Sequence, residues 1–155
     1  MYSNKLICDI LFYIDKNINN KINIQDIADI FFFNRFYIMK LFKKELGISI
    51  NNYINLKRIL NSLSDLKNTD DSYLTIALNN GFNSLEYFSE TFKLIIGVSP
   101  RVYKKFTYFI IKIKDEEINT IRSNLLKLTS TINKIDNYKN NLKPEIKKEK
   151  KLSIF

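Results

Sequence analysis

The sequence predicts an all-α fold with two helix-turn-helix subdomains, a long helix that connects them and a C-terminal amphipathic helix. Three observations predict it: a segment of about fifty residues occurs twice, apolar residues recur at helical spacing, and capping residues and glycines stand where helices would begin and end. The 155 residues, 45% of them apolar, suffice for one modest domain with an appendage.

The repeat is clearest at an offset of 50 residues. Six identities fall within one short window at this offset: Tyr37 and Tyr87, Phe42 and Phe92, Lys43 and Lys93, Gly47 and Gly97, Ser49 and Ser99, and Tyr53 and Tyr103. Upstream, Ile27-Ala28 matches Ile76-Ala77 at an offset of 49, so the second copy gains one residue in its turn. We interpret these matches as a duplicated structural unit.

Each copy has the pattern of two short helices joined by a tight turn, which is typical of a helix-turn-helix. Residues that cap or end helices punctuate both copies: Asn34, Gly47, Gly81, Ser84 and Gly97. Apolar residues lie between them at helical spacing: Ile24, Ile27, Ala28, Ile38, Leu41 and Phe42 in the first copy, and Leu74, Ala77, Leu78, Phe88, Phe92 and Ile96 in the second. The second helix of such a unit can enter a major groove of DNA.

Further helices are predicted around the two copies. Residues 4–18 form an amphipathic opening helix, and residues 50–66 form the longer helix that joins the copies. Asp71 or Ser72 caps the helix that follows, and Pro100 begins a short last helix.

The residues that are missing exclude most catalytic chemistry. With no His, one Cys and three scattered Gly, the chain offers no hydrolase triad, zinc site, disulfide or phosphate-binding loop. No apolar run approaches the roughly 18 residues that span a bilayer. We therefore expect a cytoplasmic protein that is not an enzyme, needs no cofactor, metal or disulfide, and has no membrane partner.

The charge favours a polyanionic partner. The net charge is +9, of which residues 1–106 carry +4 and residues 107–155 carry +5. Such a positive net charge is compatible with binding to nucleic acid but says nothing about the fold.

Residues 5–106 resemble the DNA-binding domain of the AraC/XylS family of bacterial transcription regulators. The matching signature is Ile76-Ala77-x-x-x-Gly81-Phe82-x-Ser84-x-x-Tyr87-Phe88-x-x-x-Phe92-Lys93-x-x-x-Gly97-x-Ser99-Pro100-x-x-Tyr103, echoed in the first copy by Tyr37-Ile38-Met39-Lys40-Leu41-Phe42-Lys43. The resemblance implies seven helices in a domain over residues 1–106, with units at about 4–49 and 68–106, and a chain that reads two successive major grooves. The family usually adds a sensor domain, and we expect this chain to act without one.

The resemblance also assigns the residues that would contact DNA. On the first recognition helix these are Asn34, Arg35, Phe36, Met39, Lys40, Lys43 and Lys44, and on the second they are Ser84, Leu85, Glu86, Ser89, Glu90 and Lys93. Arg101 and Lys104 would bind phosphate. Two alternatives stay open. Lys40, Lys43 and Lys44 can form an ordinary solvated helix face instead of a DNA-binding one. Phe36 and Met39 can either contact thymine methyl groups or pack inside the domain.

Two features depart from the family pattern. Phe32 stands in the first turn where the family usually has Gly or a small polar residue. If that position needs a positive φ, Phe costs roughly 1–2 kcal/mol there, and the turn could instead be reshaped. On the second recognition helix, Leu85, Glu86 and Glu90 stand where donors to DNA are common in the family, and a carboxylate repels phosphates.

Several residues are expected to have structural roles. Six aromatic residues that stand at helical spacing in the two copies are expected in the core: Tyr37, Phe42, Tyr87, Phe88, Phe92 and Tyr103. Arg58 either forms a structural ion pair or touches phosphate, and Cys8 is expected to be a small buried residue rather than a redox sensor.

The last fifty residues contain an amphipathic helix and a basic tail. Apolar residues with heptad spacing predict one helix over residues 115–138: Ile118, Ile121, Leu125, Leu128, Ile132 and Ile135. This helix can pack on its own domain, form a homodimer, or be the remnant of a lost effector domain. Residues 108–113 are expected to extend the last helix or to form a strand, and the basic ending over 143–151 to lack fixed structure.

The leading hypothesis is a sequence-specific regulator of transcription that binds double-stranded DNA, with RNA polymerase as a candidate protein partner. The main alternative is an interaction protein with a degenerate DNA-binding fold, which modulates a partner regulator through its C-terminal helix. Glu86 and Glu90 are the evidence for this alternative. A weaker alternative is a general nucleic-acid binder that relies on the basic tail.

Overall fold

The structure, a computed structural model, describes the backbone of residues 2–108 and 115–152 and the side chains of residues 4–105, 116 and 118–141. Its described part consists of helices and their connections: α1 (Tyr2–Lys16), α2 (Ile24–Ile30), α3 (Arg35–Leu46), α4 (Ile50–Asn68), α5 (Tyr73–Asn79), α6 (Leu85–Ile96), α7 (Pro100–Tyr108) and α8 (Asp115–Leu152). The all-α prediction is confirmed, with seven helices before α8. Residues 109–113, for which the sequence left helix and strand open, lie outside the described residues.

The chain divides into two compact units. The first contains α1, α2, α3 and the part of α8 from residue 130 onward. The second contains residues 18–21 and the described residues between 51 and 129. Each unit therefore holds one of the two repeated helix pairs.

The first unit forms around the apolar face of α1. This face buries Leu6, Ile7, Ile10, Leu11 and Ile14. The two repeat helices of the unit bury Ile27 and Ala28 from α2 and Ile38, Leu41 and Phe42 from α3. The helical spacing of these residues in the sequence is thus the pattern that makes the core. The predicted helix over 4–18 occurs with a shift of two residues, since α1 ends at Lys16.

The second unit has an aromatic core. Phe82, Phe88, Phe92 and Tyr103 form a continuous row in which successive ring centroids lie 5.2, 5.7 and 5.6 Å apart in edge-to-face contact. Such pairs contribute beyond the burial of their area, by roughly 0.5–1.5 kcal/mol each. Burial raises the pKa of the Tyr103 phenol, as expected at the end of an apolar row.

Side-chain caps set the starts of the repeat helices. Asn34 Oδ1 accepts from the backbone N–H of Phe36 at 2.8 Å, and Ser84 Oγ accepts from that of Tyr87 at 3.1 Å. Ser72, one of two predicted caps, begins α5. These residues satisfy N–H groups that the first turn of a helix leaves without partners. Asn34 and Ser84 are thereby confirmed as caps.

The turns inside the two helix pairs have the same backbone hydrogen bonds. In the first, Phe32 N–H donates to the Asp29 carbonyl and Phe33 N–H to that of Ala28; in the second, Gly81 N–H donates to Leu78 and Phe82 N–H to Ala77. This pattern requires a left-handed residue just after the helix. Phe32 adopts it with φ 58° and Gly81 with φ 80°. The first turn is therefore not reshaped, and Phe32 carries the expected strain of about 1–2 kcal/mol.

Arg58 has a structural role that differs from both predicted ones. In the second unit its Nε donates to the carbonyl oxygen of Ile18 at 2.9 Å and its Nη2 donates to that of Asn20 at 2.7 Å. The side chain is buried, and its guanidinium lies 5.9 Å from the centre of the Phe82 ring. It ties the loop after α1 to α4, and it forms neither the predicted ion pair nor an exposed phosphate contact.

The C-terminal helix packs on its own chain. In the first unit, Ile135 is only 2% exposed, the Tyr138 hydroxyl donates to Asn4 Oδ1 at 3.0 Å, and Lys139 forms an ion pair with Asp15. Burial and the charge of Glu45 raise the pKa of Tyr138 to about 12. These contacts fix α8 against α1.

The other half of α8 belongs to the second unit, where Ile121 joins the core at 8% exposure, with Leu125 and Leu128 beside it. The predicted helix over 115–138 is confirmed. Most of its apolar stripe packs against the rest of the same chain, in agreement with the interpretation that this helix packs on its own domain. The ending over 143–151 is helical to Leu152, so the expected lack of structure there was wrong.

Cys8 is half-buried rather than fully buried. Burial and the neighbouring Asp9 raise the pKa of its thiol, an effect that Lys139 partly opposes. A thiol that stays protonated is a weak nucleophile. The environment therefore agrees with a structural residue.

Candidate nucleic-acid interface

Helix α3 presents a basic face to solvent. Its core side holds Ile38, Leu41 and Phe42, so the opposite side exposes Arg35, Phe36, Lys40, Lys43 and Lys44. Met39 is half-buried at the border. All seven residues predicted on the first recognition helix thus lie at or near the surface, and Phe36, at 69% exposure, is not a packing residue.

The first turn of α3 combines positive charge with exposed aromatic rings. The guanidinium of Arg35 lies 5.3 Å from the centre of the Phe36 ring, a cation–π distance. The Phe33 and Tyr37 rings stack with their centroids 5.4 Å apart. Between Ile30 and Lys44 the sequence contains no acidic residue. This end of the helix therefore suits a partner that is negatively charged and offers flat or apolar groups.

Helix α6 presents a different face. It buries Phe88, Thr91, Phe92 and Ile96, and it exposes the predicted residues Glu86, Glu90 and Lys93. The other predicted residues of this helix, the cap Ser84 together with Leu85 and Ser89, are half-buried. Two carboxylates and one ammonium make this face acidic where the corresponding face of α3 is basic.

The two predicted phosphate-binding residues have different surroundings. Arg101 is exposed and, with Ser89, Leu85 and Tyr73, lines an open depression of about 330 Å³ beside the start of α7. Lys104 instead donates from Nζ to the backbone carbonyl of Thr69 at 2.9 Å. The structure thus brings Arg101 next to α6 and uses Lys104 within the fold.

Two tyrosines that the sequence placed in the core are at the surface. Tyr37 is 47% exposed and Tyr87 is 48% exposed. The Tyr87 hydroxyl accepts from Asn55 Nδ2 at 2.8 Å. The prediction was wrong because both residues lie at the edge of the apolar stripe. Phe42, Phe88 and Phe92 are buried as predicted, and Tyr103 is half-buried.

The described residues contain no cluster of acidic and Cys side chains that could hold a metal ion. Within the same residues, none of the helices has the length and apolar content that a bilayer crossing requires.

The family model of a helix-turn-helix domain matches residues 27–105. Among relatives, the uncharacterised regulator YbfP of Bacillus subtilis is 32% identical over 116 residues, which are 75% of this chain and 39% of that protein. The transcriptional activator AarP of Providencia stuartii is 29% identical over 103 residues, 66% of this chain and 76% of that protein. The chain therefore spans well under half of the first relative and about three quarters of the second.

A solved structure with a similar fold comes from Chromobacterium violaceum and is described as a transcriptional regulator with an AraC-type DNA-binding domain. It is 26% identical, has a TM-score of 0.60, and the match covers 68% of this chain and 94% of that one. The residues matched by the family model, 27–105, include both recognition helices, α3 and α6.

Proposed function

The chain belongs to the AraC-type family of helix-turn-helix transcription regulators, and from this we propose that it reads two successive major grooves of DNA with unequal contributions from its two recognition helices. That it is a DNA-binding regulator follows from the family. The unequal contribution is supported by the opposite charge of the two helix faces. On this proposal α3 reads most of the sequence, and α6 mainly positions the domain.

The chemistry of α3 supports base reading. Arg35 and Lys40 carry donors that suit guanine, and the exposed ring of Phe36 suits a thymine methyl group. Lys43 and Lys44 are exposed in the last turn of α3, and on this proposal they contact phosphate. Because a good base contact contributes about 1–3 kcal/mol of discrimination, a few such residues suffice for a specific half-site.

The chemistry of α6 supports a positioning role. Glu86 and Glu90 repel phosphates unless each finds a cytosine amino group. Attraction to DNA at this end then comes from Lys93, Arg101 and the backbone N–H groups at the helix start. These contacts orient the domain without distinguishing bases.

The alternative function, an interaction protein that acts through α8, has less support. It needs the apolar stripe of α8 to be available, whereas Ile121 and Ile135 are buried within the chain. RNA polymerase as a partner stays a prediction. A homodimer through residues 115–138 stays an untested alternative to the packing of α8 on its own chain. A cytoplasmic location and the lack of enzymatic activity accord with this function and are part of the proposal.

Selection of binding sites from a random duplex library tests the proposal. We expect an enriched motif of about 15–20 bp that contains one strongly specified half and one weakly specified half. Two equally specified halves would contradict the unequal contribution. If no motif is enriched while binding persists, the chain binds DNA without sequence preference, and the proposal fails.

A further inference from the structure

Phe32 combines an unfavourable backbone with a side chain that the fold does not use. Among the residues that the structure describes, it is the one residue other than Gly with a positive φ. Its side chain is 94% exposed, the highest value among the large apolar residues described. A ring left in water adds nothing to the core, so neither the backbone nor packing favours Phe at this position.

The second copy shows what the turn needs. Gly81 occupies the same position with the same hydrogen bonds, and glycine adopts a left-handed φ without steric cost. At Gly81 a Cβ would lie 2.8 Å from Arg58 Nε and 2.9 Å from the Ile18 carbonyl oxygen, so that turn has no room for a side chain. The first turn differs, because the Phe32 ring extends into open solvent.

The location of Phe32 indicates what its ring meets. It precedes Asn34, the cap of α3, by two residues, and the N-terminal end of a recognition helix is the end that approaches base edges. Arg35 and Lys40 follow within two turns, and no acidic residue intervenes. The charge around Phe32 therefore complements duplex DNA.

We propose that Phe32 is an additional DNA contact of the first unit, and that with Phe36 it packs against thymine C5 methyl groups at the edge of the major groove. The proposal rests on the DNA-binding function proposed above. The thymine methyl group is the apolar feature that the major groove offers, and an exposed phenyl ring is suited to cover it. The second copy has Gly81 at this position of the turn, and in the first copy Phe32 is a specificity-determining residue there.

The test replaces each thymine of the selected site in turn by deoxyuridine, which removes only the methyl group. The variants are Phe32→Asn, which tolerates the left-handed backbone, and Phe32→Gly, which restores the residue of the second copy. Phe12→Ala is the matched control, because Phe12 is also strongly exposed but lies on α1. Affinities are measured by fluorescence anisotropy, with the folding of each variant followed by circular dichroism.

We expect the unmodified protein to lose about fourfold in affinity at one or two thymines, the loss that corresponds to one methyl group. Both Phe32 variants should bind the thymine site more weakly by a similar factor and should no longer respond to deoxyuridine at one of those positions. The Phe12→Ala variant should keep the whole profile.

Two results would overturn the proposal while leaving the DNA-binding function intact. If the Phe32 variants bind the selected site as tightly as the unmodified protein, the ring does not contribute to DNA binding. If they bind more weakly but respond to every deoxyuridine as before, the contact is not with a methyl group. Failure of the unmodified protein to select any site would instead remove the proposed function itself.

Discussion

Arg58 Nε donates to the carbonyl oxygen of Ile18 at 2.9 Å, across forty residues of sequence. With the second bond to Asn20, one guanidinium satisfies two carbonyl groups of the loop that follows α1. Arg is suited to this because its planar group presents several donors in a fixed geometry, whereas Lys carries a single ammonium. Burial lowers the pKa of Arg58, but an arginine remains charged throughout the usual pH range.

We expect Arg58→Ala to lower the free energy of unfolding by roughly 2–3 kcal/mol, since it leaves two carbonyls without partners. Arg58→Lys should lower the free energy of unfolding by a smaller amount, because a single ammonium replaces the two separate guanidinium donors that bond the two carbonyl groups. Urea denaturation measures both, with Lys67→Ala at the exposed end of α4 as control. Equal stability of the Arg58 and Lys67 variants would show that the two hydrogen bonds are not formed in solution.

Substitution of Gly47 and of Gly81 by Ala distinguishes the cost of backbone strain from the cost of a steric clash. Both have positive φ, but a Cβ at Gly47 meets nothing within 4 Å, whereas one at Gly81 meets Arg58 and the Ile18 carbonyl. Gly47→Ala should therefore cost only the strain, about 1–2 kcal/mol. Gly81→Ala should cost at least about 1 kcal/mol more, since a well-packed site must shift to admit the methyl group. Thermal unfolding of the two variants compares them, and equal losses would contradict the contact at Gly81.

The buried positions of α8 test whether this helix packs within one chain. Ile135→Ala should destabilise the protein by roughly 2–4 kcal/mol, as truncation of a core residue does. Leu126→Ala is the control, because Leu126 is exposed on the same helix and its truncation should change little. Sedimentation of the full chain should give a monomer. A dimer that Ile135→Ala dissociates without loss of helix would instead place this stripe between two copies.

Local chemistry explains which parts of the fold the sequence predicts. The caps Asn34, Ser84 and Gly47 act on groups within a few residues, so their roles can be inferred from spacing alone. The partners of Arg58 are remote in sequence, and no local pattern indicates them. Tyr37 and Tyr87 fall at the edge of an apolar stripe, where spacing does not distinguish a half-exposed tyrosine from a core residue.

In the candidate site, too, local sequence predicts some features, whereas others depend on residues that are remote in sequence. The exposure of Arg35, Lys40 and Glu90 follows from the periodicity of α3 and α6, so the sequence alone puts them on the solvent-facing side of each helix. The inward hydrogen bond of Lys104 depends on the position of Thr69 in another segment, which periodicity does not provide. The roles of these residues toward DNA stay predictions.

Tyr138 gives a pH dependence to the docking of α8 on α1. Its pKa is raised to about 12, so the folded state favours the neutral phenol, which donates to Asn4. The stability that this adds is fully present below the ordinary tyrosine pKa near 10 and is lost as the pH rises through about 12. The unfolding free energy should therefore fall less steeply between pH 10 and 12 in Tyr138→Phe than in the unmodified protein. Parallel curves from chemical denaturation would show that Tyr138 titrates normally.

Lys40 and Glu90 stand at the same position of the two recognition helices, at the offset of 50 that relates the copies. Both are exposed, as are Phe36 and its counterpart Glu86. We expect Lys40→Ala to weaken specific binding by roughly tenfold, which is about 1.4 kcal/mol and within the range of one base contact. Glu90→Ala should leave binding equal or make it tighter, because it removes a charge that repels phosphate.

Anisotropy titrations on the selected site and on a scrambled duplex, each at two salt concentrations, distinguish the roles. Lys134→Ala is the control, because Lys134 is exposed and belongs to α8 rather than to a recognition helix. A base contact at Lys40 appears as a loss confined to the selected site, whereas a phosphate contact weakens both duplexes alike and reduces the salt dependence. If Glu90→Ala loses tenfold on the selected site alone, Glu90 accepts from a cytosine amino group, and α6 reads sequence as strongly as α3 does.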